Sequence, residues 1–217
     1  MILYHFSTSP FARRVRLVLA HKGLDAELRD ARAEPAHMVE VKKLNPFGMV
    51  PVLVDGDRVV CDSAAISTYL DQKRPDPPIF VTGPDAVKAG EMVAALDRII
   101  TMLVDLALRY APLTDHPSFE GVRAEHVADK MQRGLDMVAS AVAKQSAGRA
   151  AGAPLFGDRW SYADIAAYTT VAWMEGLPAR AETFPPAKRM LALGWTLPES
   201  LRGWAATHRG RPDVAAL

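Results

Sequence analysis

Four short stretches carry groups of a type and spacing that can do chemistry. In Ser9-Pro10-Phe11, serine suits the cap position of a helix and proline its first turn. The cap hydroxyl either serves the helix alone, by accepting a backbone N–H, or donates to an anion held at the positive helix end. A thiolate is such an anion, and stabilising it lowers the thiol pKa. Ser7 and Tyr4 offer competing hydroxyls nearby. Asp62-Ser63 is a second helix start, whose N–H groups can receive a carboxylate while Asp62 accepts from an ammonium. A zwitterionic amino-acid end needs that pair of functions side by side. In Val50-Pro51, proline restricts Val50 to extended geometry, and the bond between them is of the one kind where a cis peptide is inexpensive. That turn either punctuates the chain ahead of an edge strand or presents the Val50 backbone to a ligand. His37 is either a solvated helix residue or a donor to a ligand carboxylate.

Other candidates read as structural. Ser161-Tyr162-Ala163-Asp164 has the form of a capping box with aspartate at the third position, so Asp164 is expected to anchor a helix. Arg13, Arg14 and Arg16 read as a solvated face, although Arg14 has the option of pointing toward the first loop. Cys61 is expected to be a small buried hydrophobe rather than a nucleophile. No His/Cys/Asp/Glu group has metal-ligand spacing, and neither a glycine-rich phosphate loop nor a GxSxG elbow is present.

The elements that must position these groups follow from periodicity. Ile2 to Phe6 reads as a buried strand, and Phe11, Val15, Val18 and Leu19 form one helical face closed by Gly23. Asp25 to Asp30 is a weak second strand, and a short helix over roughly Pro35 to Leu44 leads to the Pro51 turn. Val52–Val54 and Arg58–Val60, joined through Asp55-Gly56-Asp57, read as a hairpin, and Asp62-Ser63 opens the next helix. The order β-α-β-α-β-β-α describes an α/β domain with a mixed four-stranded sheet over residues 1–76. A proline-rich linker over 77–84 separates it from an all-helical domain over 85–217. There Met92, Leu96, Ile99, Leu103, Leu106 and Tyr110 hold helical spacing along one long helix, and Val127, Met131, Leu135, Val138 and Val142 along a second. A third helix begins near Ser161, and Pro185-Pro186 and Pro198 precede two shorter ones.

The chain has 217 residues, a length for one or two domains, of which 49% are hydrophobic and 24% charged, ample apolar material for cores. A net charge of +1 gives no reason to expect a nucleic-acid partner. One cysteine excludes an internal disulfide and a CxxC redox pair, and suits a reducing compartment. The first residues lack a signal-peptide pattern, and Asp97, Arg98 and Asp105 interrupt the most apolar helix, so a cytoplasmic protein with no membrane span is expected.

Taken together, the chain resembles the cytosolic glutathione transferases along essentially its whole length. Ser9-Pro10-Phe11 with Arg14-Val15-Arg16-Leu17 is similar to the serine-type classes, and Asn45-Pro46-Phe47-Gly48-Met49-Val50-Pro51-Val52-Leu53 to the family's glutathione-binding loop with its cis-proline. Asp62-Ser63-Ala64-Ala65-Ile66 resembles the segment that holds the γ-glutamyl end, Ser161 to Ile165 the capping box of the helical domain, and Arg211-Pro212 the tail. The resemblance implies a thioredoxin-like first domain and an all-α second domain. It implies that Ser9 binds the glutathione thiolate, with Ser7 as the other candidate, and that the backbone at Val50-Pro51 pairs with the cysteinyl unit. Asp62 and Ser63 would hold the γ-glutamyl ammonium and carboxylate, and His37 the glycyl carboxylate. Glutathione would be co-substrate, no metal would be needed, and the partner would be a small apolar electrophile walled by Phe11, Met102 and Tyr110. Conjugation of glutathione to that electrophile in a detoxifying homodimer is the implied activity. Glutathione-dependent isomerisation or dehalogenation on the same site, or a non-catalytic binding module, are the alternatives.

Overall fold

A computed structural model describes residues 1–109 and 122–215. Four strands, β1 (Ile2–His5), β2 (Glu27–Asp30), β3 (Val52–Asp55) and β4 (Arg58–Cys61), form one sheet in the order β2-β1-β3-β4. β1 runs parallel to β2 and antiparallel to β3, and β3 pairs antiparallel with β4. The mixed four-stranded sheet expected from the pattern is therefore present. β2 is shorter than expected and lies at an edge, where Leu28 stands half exposed; an edge strand has little burial to reveal it in sequence.

Successive side chains leave a strand on opposite faces, which places helices on both sides of the sheet. Leu3 and Leu53, partners across β1 and β3, face the core that Val15, Val18, Ile66 and Leu70 fill from helices α1 (Pro10–Lys22) and α3 (Ser63–Lys73). Tyr4 and Val52 face the other way, onto Val41 of helix α2 (Pro35–Leu44). Gly23 ends α1 at φ +57°, a left-handed conformation that glycine adopts without steric cost.

The second domain is helical in all its described elements. Helix α4 (Ala86–Val104) packs against α5 (Val122–Ser146), and α6 (Tyr162–Glu175) crosses both α4 and α1. Apolar almost all round, α6 is buried along nearly its whole length, as such a helix must be. Short helices α7 (Leu177–Arg180), α8 (Pro185–Ala192), α9 (Glu199–Thr207) and α10 (Pro212–Ala215) complete the domain. No helix among the described residues is long and apolar enough to cross a membrane.

One departure from the expected pattern bears on the cleft. The long helix does not continue regularly past Val104 but widens into a π turn over Asp105–Arg109. The extra residue per turn moves Ala107, not Leu106, onto the buried stripe and leaves Leu108 facing outward.

Arg14 corrects a second expectation. It is fully buried rather than solvated, paired with Asp97 of α4, and donates to the hydroxyls of Thr169 and Thr170 of α6 at 3.4 and 3.1 Å. A guanidinium withdrawn from water needs such partners, so Arg14 ties the first domain to two helices of the second. Lys22 plays a matching part. Its buried ammonium pairs with Asp71 and donates to the carbonyls of Arg74 and Pro77, each at 2.6 Å. Ile79, two residues on, is fully buried and its carbonyl accepts from the Tyr162 N–H at 2.6 Å. The linker is thus fastened to both domains.

Candidate active site

Ser9 begins α1 as its sequence position suggested. Its Oγ accepts the Ala12 N–H at 3.2 Å, which occupies one lone pair and leaves the hydroxyl proton available to an acceptor in front of the helix. Ser7, the other candidate, is exposed; its N–H donates to the Asp30 carboxylate at 3.1 Å and its carbonyl accepts from Arg16. Asp30 in turn is held below the usual carboxylate range by N–H donors at Arg32, Ser7 and Ala33, which outweigh its burial.

The Pro51 turn is shaped from within. The Val50–Pro51 peptide bond is cis. The buried Asn45 clamps the loop before it, its amide donating to the Met49 carbonyl at 2.8 Å and its carbonyl oxygen accepting the Phe47 N–H at 3.0 Å. Gly48 takes φ +60° and its N–H reaches the Asn45 carbonyl. Among the described residues the Val50 N–H and C=O have no hydrogen-bond partner, an edge of main chain left open beside a cleft.

Asp62 caps α3, its Oδ1 accepting from Ala64 and Ala65 at 2.8 and 3.2 Å. It does so at φ +76°, ψ +139°, a region that residues with a Cβ rarely adopt and that costs about 1–3 kcal/mol. Strain of that kind concentrates at ligand-binding positions. Ser63 follows it and is buried.

Ser9, Val50, Pro51, Asp62 and Ser63 all line one cleft of about 770 Å³ between the two domains. His37 is not among its lining residues. Its ring lies edge-on to Tyr4, with Nδ1 3.3 Å from the Asp30 carbonyl and Nε2 3.5 Å from the Glu34 carboxylate. Of the expected apolar walls, Phe11 lines the cleft and Met102 does not, while Tyr110 lies outside the described residues. Val104, Leu108, Trp173, Phe184 and Met190 take the wall instead. Cys61 also reaches the cleft, but burial and the neighbouring Asp62 push its thiol pKa up, and it donates to the Leu44 carbonyl at 3.7 Å; it is not poised as a nucleophile.

Two lining residues, Arg32 and Arg180, had no signal in the sequence. Arg32 follows β2 at a turn, and Arg180 ends a four-residue helix that no periodicity announces. In the second domain, Asp164 anchors α6 as expected. Its Oδ2 accepts from the Ser161 N–H and hydroxyl at 2.9 and 2.6 Å and its Oδ1 from the Leu155 N–H at 2.7 Å, while burial raises its pKa.

Comparison with known proteins places this geometry in context. Residues 3–78 match the family described as glutathione S-transferase, N-terminal domain, and residues 88–206 that described as glutathione S-transferase, C-terminal domain. Glutathione S-transferase Z1 of Arabidopsis thaliana is 48% identical over 80 residues, a match that spans 36% of this chain and only 36% of that relative's length. A glutathione S-transferase of Methylobacterium radiotolerans, solved in complex with glutathione sulfonate, is 26% identical with a TM-score of 0.69, covering 99% of this chain and 92% of its own. A maleylacetoacetate isomerase of Anaeromyxobacter dehalogenans with bound glutathione shares the fold, at 23% identity and a TM-score of 0.67 over 99% and 92% of the two chains.

Proposed function

We propose, for a chain that belongs to the glutathione S-transferase family, that the interdomain cleft binds glutathione and that Ser9 stabilises its thiolate for attack on an electrophile. The observation that carries this reading is the convergence of Ser9, Val50 and Asp62-Ser63 on one cleft. Together they fit a γ-glutamyl tripeptide. The Ser9 hydroxyl proton and the N-terminus of α1 favour a sulfur anion, the open Val50 main chain offers strand-like pairing to the cysteinyl unit, and the start of α3 offers an acceptor and N–H donors to the amino-acid end. Ser9 is preferred over Ser7 because it lines the cleft and Ser7 does not. His37 remains a candidate for the glycyl carboxylate only if its ring leaves the Asp30 and Glu34 contacts. The thiol proton would pass to solvent and the thiolate would add to the electrophilic carbon; the leaving group then departs with its bonding pair, or, in an addition, the resulting carbanion takes a proton from solvent.

A second reading has support of its own: relatives over the first domain belong to the zeta class, and an isomerase shares the fold. In that reaction the thiolate adds to a carbon–carbon double bond conjugated to a carbonyl, the resulting single bond rotates, and elimination restores the alkene and the thiol. Ser9 would serve both reactions in the same way, so the acceptor and not the thiolate site would set the outcome. A homodimer accompanies either reading.

The test is a thermal titration with glutathione followed by two assays. At a hundredfold excess over Kd, glutathione stabilises the fold by about 2.7 kcal/mol, a rise in Tm of roughly 5–10 °C. Conjugation of a chloronitroarene is then compared with cis–trans isomerisation of a conjugated enone acid. No thermal shift at millimolar glutathione refutes the binding site; a shift with neither activity refutes catalysis. A single-chain mass in gel filtration refutes the dimer.

A further inference from the structure

The cleft carries two guanidinium groups that the thiolate reading does not use. Arg32, from the first domain, stands at the cleft mouth 4.8 Å from the Phe6 ring and 5.5 Å from the Phe184 ring, with Nη1 donating to the Thr8 hydroxyl at 3.2 Å. Arg180, from the second domain, is half-buried in the wall. Its Nε and Nη2 donate to the carbonyls of Gly176 and Trp173, and its guanidinium lies 5.8 Å from the Trp173 ring. Neither has a carboxylate partner among the described residues, whereas Arg14, Arg29, Arg209 and Arg211 each do. The acids lining the cleft are Asp62, committed to capping α3, and Asp105 of the π turn, which has a contact of its own. Burial and the nearby Arg13 both work against the charge of Arg180, lowering its pKa. Positive charge is therefore concentrated where apolar lining alone would suffice for an apolar acceptor.

Resting on the glutathione reading above, we propose that the acceptor site takes a flat, conjugated electrophile bearing a carboxylate. The guanidinium plane matches a carboxylate with two parallel hydrogen bonds, and both arginines keep N–H groups free for that purpose. Phe6, Phe184 and Trp173 supply flat apolar surface beside the charge, which suits an aromatic or enoic acid. The electrophile expected from sequence was small and apolar; these two residues change its class by adding an anion.

The test compares 3,5-dinitrobenzoate with its uncharged counterpart 3,5-dinitrobenzamide, neither of which reacts, by calorimetry with and without glutathione. The carboxylate is expected to bind about tenfold more tightly than the amide. Arg180→Gln or Arg32→Gln is expected to remove most of that preference while leaving glutathione affinity unchanged. Equal or weaker binding of the carboxylate overturns the proposal, as does a preference that neither substitution lowers. Because Arg180 also supports the Trp173 and Gly176 carbonyls, Arg32→Gln carries the test if the first variant does not fold. If glutathione itself fails to bind, the thiolate reading falls, and the anion preference measured without it still decides this one. Turnover gives a second readout: 4-chloro-3,5-dinitrobenzoate should exceed 1-chloro-2,4-dinitrobenzene in kcat/KM, each relative to its uncatalysed rate, and Arg180→Gln should invert that order.

Discussion

Replacing Ser9 by alanine separates its two roles, because each has its own readout. The structural role is one N–H···O bond of 3.2 Å to Ala12, and losing a helix cap of this kind costs about 1 kcal/mol. For a chain of 217 residues that is a fall in Tm of about 2–4 °C, too little to unfold the domain. The chemical role proposed for it is a hydrogen bond from the hydroxyl to a sulfur anion. A bond to a charged group contributes about 1.5–3 kcal/mol, so its loss should raise the bound thiol pKa by roughly 1–2 units. On the acid side of the profile, where the thiolate fraction limits the rate, kcat/KM should then fall about 10- to 100-fold, with most of the loss recovered at high pH. The assay is the pH profile of conjugation, with thiolate absorbance of bound glutathione as an independent titration. Ser9→Thr should keep the cap and most of the rate, and Ser7→Ala should leave the acid limb in place. An acid limb that does not move in Ser9→Ala, with glutathione still bound, refutes the assignment.

Three further outcomes are expected. Lys22→Met leaves the Asp71 carboxylate with the Ile79 N–H but no cation, and takes the donor from the Arg74 and Pro77 carbonyls; breaking a buried pair of this kind costs about 3 kcal/mol, so differential scanning calorimetry should show Tm lower by roughly 6–12 °C, and a fall under 2 °C would contradict it. His208 lies buried between Trp160 and Trp204, and burial, with help from Arg211, lowers its pKa to about 4. The unfolded chain takes up the proton near pH 6.5 and the folded one only near 4, so stability present above pH 6.5 is lost as pH falls through that window, by up to about 3 kcal/mol. Urea melts across the window should show this slope, and His208→Gln should flatten it. Asp62→Asn keeps an acceptor for Ala64 and Ala65 and removes only the charge, so stability should change by under about 0.5 kcal/mol while Kd for glutathione rises about tenfold; unchanged affinity would remove Asp62 from the site.

The first domain was legible in sequence because its signals are local. Ser9-Pro10 and Gly23 bound α1 and Asp62-Ser63 opens α3, and in the second domain Ser161 with Asp164 opens α6, each through contacts within a few residues. The clamp that Asn45 places on the Pro51 turn is equally local, but its two hydrogen bonds depend on a side-chain orientation that residue type alone does not fix. The π turn at Asp105–Arg109 shifts a helical face by one residue, which a regular period misses. Arg14 is of another kind. Flanked by arginines, it reads as solvated, and only the approach of α4 and α6, more than eighty residues on, supplies the carboxylate and hydroxyls that let it be buried.

The sequence by itself therefore determined most of the elements, their order and the local geometry at Ser9, Val50-Pro51 and Asp62-Ser63, because capping, turn chemistry and periodicity act over a few residues. The places of Arg32 and Arg180 in the cleft were decided by tertiary structure alone. Arg32 and Arg180 stand 148 residues apart, and only the packing of the two domains brings both to one cleft, with Phe184 beside Arg32. Charge has no reach along the chain; it becomes a site when folding fixes what lies opposite it.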